Sequence, residues 1–357
     1  MELFLFRHAE YERLYNCTGL DIDAIPLEKR QFVPESIAIC VLCAIYYVLY
    51  VPCMYSIWLH LRDNSCYKLL FYIGITDLAN LWILGFFSGW LNLHGAVFCS
   101  FPTLNYFVGV AVLALWIAES TADLILAFNR CLELSSSRFS RLLFSGHRTL
   151  LWLFGCSLYA LYWAVFVKPT VYSSVYFGWF FFPFVGYRPD DQHELQFAVQ
   201  LHTFHDILVA FLCPGIYLIF ALVLCASSYD FNTMQKKVLM VFLVSLINTL
   251  TGSLYVYMQH NDFRQQWMLT LAEFAWYVNP GTRQLGPGTF GPQRFHAHGF
   301  PPVIYLALNK TIRKDSCALF MKLFQRHRVS SLGVVAVSAP KTVTPANGVG
   351  RSAQQQQ

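Results

Sequence analysis

The chain has 357 residues and a net charge of +5, and only 13% of it is charged, about half of what a soluble domain carries. Apolar residues make up 56% and mean hydropathy is +0.44, too much apolar side chain to hide from water in a core. This excludes a soluble chain and argues against a nucleic-acid binder; the cover required is lipid.

A membrane-crossing helix needs about 20 mostly apolar residues, and stretches free of Lys and Arg mark the candidates. Residues 1–35 precede the first and read as an extracellular N-terminal segment. They hold the sequon Asn16-Cys17-Thr18, which suits an exterior position with Asn16 as glycosylation site. No cleavable signal peptide is read: residues 1–6 are too short an apolar run, ended by Arg7 and Glu10. The first span is expected over 36–60. The next uncharged stretch suits two crossings, 68–91 and 102–129, with a turn near His94-Gly95. A fourth span fits 149–167.

Residues 169–187 are uncharged and aromatic, but Pro169, Gly178, Pro183 and Gly186 argue against one continuous helix. They are expected to form an extracellular loop packing its aromatics over the bundle. Spans five and six are expected over 198–226 and 237–258. The seventh begins at 266–279, breaks at Asn279-Pro280-Gly281, and resumes over 299–309. The Gly/Pro/Arg-rich run 280–298 cannot lie in lipid, where its backbone groups would lack partners. Residues 310–328 are expected to form a juxtamembrane amphipathic helix with Cys317 as a lipidation candidate; a plain solvated tail is the alternative. Residues 329–357 are expected to be a disordered cytoplasmic tail.

With the N-terminus outside, sixteen Lys and Arg fall on the cytoplasmic side, seven outside, and two in the interruption. The positive-inside rule is satisfied. The fold class is an all-α membrane protein, a seven-transmembrane helix bundle with its N-terminus extracellular. Of eleven cysteines, only Cys17 and Cys99 fall outside the membrane on the exterior. In an oxidising compartment they most simply pair; two free thiols are the alternative.

Five acids lie at membrane depth: Asp77, Glu119, Asp123, Asp206 and Glu273. Such groups usually face the bundle interior, and no basic partner is read for them there. Asp77 with Glu119, and Asp123 one turn further on, would form an intramembrane site for sodium or a proton. Alternatively the carboxyls are protonated and bonded to Ser120, Thr121, Asn80 or Asn248. Arg130 closes the third span, either reaching into the bundle or snorkelling to the interface. His202-Thr203-Phe204-His205-Asp206 has no second cluster to match it, so no metal and no cofactor are expected. No P-loop, Gly-x-Ser-x-Gly or CxxC is present, so no enzyme is expected.

Short pieces of the chain, in order, carry a resemblance. They are Tyr15-Asn16-Cys17, Val51-Pro52-Cys53, Ser65-Cys66-Tyr67-Lys68, Gly74-Ile75-Thr76-Asp77, Phe98-Cys99, Asn129-Arg130-Cys131, Pro301-Pro302-Val303-Ile304-Tyr305 and Asn309-Lys310-Thr311-Ile312-Arg313. Over residues 12–326 the chain resembles the nematode serpentine receptors of class T, seven-helix chemoreceptors. The resemblance implies a chemosensory G-protein-coupled receptor whose partners are a heterotrimeric G protein, a small-molecule or peptide ligand of unknown identity, and the lipid bilayer, with no nucleic acid. It implies plasma-membrane and ciliary localisation. Asn129, Arg130 and Cys131 are similar to the Asp/Glu-Arg-Tyr triplet, with the acid replaced. That loss removes one restraint on Arg130 and would favour basal activity. Loop 169–197 has no cysteine, so the usual bridge to it is absent, which favours Cys17 as partner of Cys99. The flanks of 280–298 belong to one helix in the family, so that segment reads as an insertion, from unspliced or misassigned coding sequence. A ligand-gated channel or small-solute transporter is the alternative function.

Overall fold

The computed structural model describes residues 1–62, 64–188, 195–226 and 295–322. Two short helices, α1 (Glu2–Leu5) and α2 (His8–Leu14), cover one end of a helical bundle. Helix α3 runs Val33–Leu59 with Pro34 in its first turn, where a missing N–H costs nothing. Helix α4, Ser65–Leu93, starts earlier than the sequence suggests because the Asn64 side chain caps it, accepting from the Cys66 amide at 3.0 Å. A π-helical stretch at Trp82–Phe87 interrupts it. Helix α5, Pro102–Ser135, outlasts its expected end by six residues. A short basic helix α6 (Ser137–Phe144) carries Arg138 and Arg141 and leads to α7 (Arg148–Phe166).

Strands β1 (Val171–Ser173) and β2 (Gly178–Phe180) form an antiparallel hairpin with Tyr172 opposite Trp179. The expected aromatic loop is thus a small hairpin, and Tyr172, Phe177, Trp179, Phe180, Phe181, Phe182 and Phe184 are all buried. Helix α8 spans Gln200–Ala226, α9 spans Phe295–Leu308, and α10 covers residues 310–322.

Helix α5 is central. It packs on α4, α7 and α8, while α9 packs on α3 and α4. The hairpin comes so close that a Cβ at Gly109 of α5 would overlap the Thr170 carbonyl. Outward faces are apolar: Ile37, Val41, Ile45 and Val48 stripe α3, and Leu151, Phe154, Leu158 and Leu161 stripe α7. Val48 is 67% and Leu151 70% exposed, a bare apolar surface that only lipid would cover. Among the described residues four helices are long and apolar enough to cross a membrane: Val33–Leu59, Ser65–Leu93, Pro102–Glu133 and Arg148–Phe166.

The expected spans 237–258 and 266–279 lie outside the described residues, as do 280–294 and the tail from 323. Helix α9, however, runs from Phe295, so residues 295–298, expected in the insertion, are helical. Pro301 and Pro302 do not stop it. Pro302 has no N–H for the His298 carbonyl, and the Tyr50 hydroxyl of α3 reaches that oxygen at 2.9 Å. Gly299, beside it, gives the Tyr46 ring the space a Cβ would fill.

Candidate functional site

The expected pairing of Asp77 with Glu119 is present, but around a residue the sequence reading assigned elsewhere. Asp77 of α4 and Glu119 of α5 are both buried. Between them stands His298 of α9, its Nδ1 3.0 Å from Asp77 Oδ1 and 2.6 Å from Glu119 Oε2. The absence of a basic partner for these acids is therefore corrected: His298 is that partner. The sequence does not mark it, because it falls in the expected insertion 280–298 and is neither Lys nor Arg. The Tyr50 hydroxyl lies 2.5 Å from Asp77 Oδ2, and Asn80 Nδ2 lies 3.5 Å from Glu119 Oε2. Ser120 and Thr121 do not serve the carboxyls. Their hydroxyls bond back to the carbonyls of Trp116 and Ile117 on their own helix. Asp123 is half-buried and is not one of the three whose ligand atoms converge.

A second polar centre lies across α5. His205 of α8 has Nε2 3.0 Å from Ser120 Oγ and Nδ1 3.4 Å from the Tyr159 hydroxyl. His202, one turn earlier, has Nδ1 3.5 Å from Asp206 Oδ2. Trp116 and Trp163 pack edge-on or tilted against both imidazoles, and Phe181 of the hairpin stands 4.9 Å from His202. These histidines are packed in a buried aromatic cluster beneath the cap.

The cap is cross-linked. Cys17, three residues after α2, is joined by a disulfide to Cys99, three residues before α5. Tyr11 and Tyr15 pack edge-on against Tyr106, and burial pushes the Tyr15 and Tyr187 phenols above their ordinary range. Asn16 beside the disulfide is exposed, its Oδ1 accepting from the Thr18 amide at 2.8 Å.

At the opposite end of α5, Arg130 Nη1 is 3.1 Å from Glu133 Oε2. Asn64, capping α4, donates to the other oxygen of Glu133 at 3.0 Å. Asn129 is fully buried with Nδ2 3.2 Å from Ser65 Oγ, and Cys131 is half-buried and free. The acid missing before Arg130 is thus supplied three residues after it, one helical turn on. The expectation of a less restrained Arg130 is corrected accordingly. Cys317 on α10 is exposed, and Asp315 of α10 accepts from Ser56 at 2.6 Å and lies 3.1 Å from His60, at the end of α3.

The family model described as serpentine type 7TM GPCR chemoreceptor Srt matches residues 1–285. The chain belongs to this family. "Serpentine receptor class T-55" of Caenorhabditis elegans is 24% identical over 273 residues, covering 76% of this chain and 68% of that relative. As an Srt-family member the chain is a seven-helix integral membrane protein of a chemoreceptor family. The Srt match ends inside the expected insertion and ahead of α9, so His298 lies beyond the residues it covers.

Proposed function

We propose that this chain is a chemosensory receptor that converts binding of an extracellular ligand into activation of a heterotrimeric G protein. The observation that carries the reading is the Arg130–Glu133–Asn64 chain at one end of α5, with the buried aromatic cluster and cross-linked cap toward the other. A ligand entering beneath the hairpin would meet Trp116, Trp163, Phe181 and the two histidines. Its differential contacts would bias α5 between two positions. In one, Glu133 bridges Arg130 to the start of α4. In the other that bridge opens and Arg130, with Asn129 and Cys131, meets the G protein, the basic Arg138 and Arg141 of α6 flanking it. Asp77 and Glu119, with Asp123 a turn below, form the polar centre that a change of helix packing would have to rearrange. In this reading the protein sits in the plasma membrane of sensory cilia, Asn16 carries a glycan and Cys317 an acyl chain.

The test is Arg130→Ala. The variant reaches the cell surface as the parent does, and its agonist-dependent nucleotide exchange on G protein falls to background. Undiminished exchange would refute the role. A tagged copy absent from sensory cilia would remove the chemosensory part alone.

A further inference from the structure

We propose that Asp77, Glu119 and His298 form a binding site for a divalent transition-metal ion, with zinc the best match to the donor set. One nitrogen and two carboxylate oxygens, all buried, lie within 4.8 Å of one another. They come from three helices, α4, α5 and α9. His298 Nδ1 carries at most one hydrogen, yet it faces Asp77 Oδ1 at 3.0 Å and Glu119 Oε2 at 2.6 Å. A single proton cannot bond both carboxylates well, whereas an ion placed among the three atoms engages each of them.

Charge is compatible with the same occupant. Two carboxylates with an imidazolium leave one net negative charge at membrane depth, which is costly until a further proton on one carboxyl or a bound cation removes it. Two carboxylates with a neutral imidazole and a dication leave none. The imidazole nitrogen separates the candidates: it suits zinc and its neighbours, while sodium, magnesium and calcium prefer oxygen throughout. Tetrahedral donors about 2.0–2.1 Å from a zinc ion stand about 3.3–3.4 Å apart, so His298 Nδ1 would draw back by about 0.3 Å from Asp77 Oδ1 and about 0.7 Å from Glu119 Oε2.

The surroundings are built for ligands of this kind. The Tyr50 hydroxyl, its one hydrogen shared between Asp77 Oδ2 at 2.5 Å and the His298 carbonyl at 2.9 Å, holds the elements of two ligands together and leaves Asp77 Oδ1 for the ion. Asn80, one turn along α4 from Asp77, is fully buried. Its amide nitrogen approaches Glu119, and its Oδ1 has no hydrogen-bond partner among the described residues. An orphan acceptor beside two carboxylates points to a cation or to water bound on one. Three protein ligands also leave a fourth position open, as is usual where zinc holds a water.

The inference does not depend on G-protein coupling and is tested on the purified full chain in lipid nanodiscs. The protein is stripped with EDTA, exposed to zinc chloride, washed, and analysed for bound metal and melting temperature. The expected result is about one retained zinc per chain and a rise in Tm of about 5 °C, both lost in His298→Asn and in Glu119→Gln. Zinc retained equally by the two variants overturns the site, as does a parent that retains none. An equal rise with sodium overturns the choice of ion. If both variants fail to fold, the zinc K-edge spectrum of the parent decides. Nitrogen and oxygen scattering supports the site; sulfur scattering assigns the ion to cysteines and overturns it.

Discussion

The two oxygens of Glu133 are held by different helices, one by Arg130 of α5 and the other by Asn64 at the start of α4. Removing its charge frees Arg130 and undoes a half-buried ion pair, whereas an exposed pair would contribute only about 0.2–1 kcal/mol. Glu133→Gln is therefore expected to raise ligand-independent nucleotide exchange several-fold over the parent, the reverse of Arg130→Ala. Exchange unchanged or lowered in membranes of equal receptor density would show that Glu133 does not restrain Arg130. Glu133 was not legible as a partner because the third span was expected to stop at 129, before the turn that brings it beneath the arginine. His298 was hidden because the seventh span is expected to resume only at Gly299, one residue past it. Only tertiary contact shows that Tyr46 fills the space over the glycine and Tyr50 serves the freed carbonyl.

At the scale of elements, the four long apolar helices fall on stretches poor in charge, because a helix in lipid must satisfy its own backbone and has little tolerance for charge. Ends were less legible, since they depend on caps such as Asn64 and prolines such as Pro34 and Pro102. The π-helical stretch at Trp82–Phe87 has no sequence mark; it is tied into the cap by Ser88, which accepts from Trp179 Nε1 at 3.0 Å. The cap itself is the element whose loss is easiest to measure. The Cys17–Cys99 disulfide closes a long loop around α3 and α4, and losing such a bond typically costs about 2–5 kcal/mol. Cys99→Ser is expected to retain most of the protein in the secretory pathway, with surface biotinylation as the readout. Gly109→Val is expected to do the same by driving the hairpin off α5, although it leaves the disulfide intact. Parental surface levels for both would mean the cap is not needed for export.

For the whole molecule, the segment 280–294 decides whether a seventh span can form as in the rest of the family. The Srt match stops at residue 285, and the chain is helical again from Phe295. Joined directly, 266–279 and 295–309 have the length of one tilted span. Transcripts lacking codons 280–294 are expected on sequencing across codons 275–305, and the shortened protein is expected to reach the surface better than the long form. Reads that all keep the segment, with normal surface levels, would show it to be a genuine loop.

Glu119 and Ser120 are consecutive on α5, yet the first faces His298 on α9 and the second faces His205 on α8. Neighbouring side chains on a helix leave the axis about 100° apart. Any twist of α5 about its axis that draws Ser120 toward His205 swings Glu119 through the same angle relative to His298. The helix behaves as a torsion rod with a spoke in each polar centre, and neither spoke can move alone. Under the proposed function, a ligand that shifts the His205 side would reach the buried acids by rotation of α5, with no relay of side chains between the two.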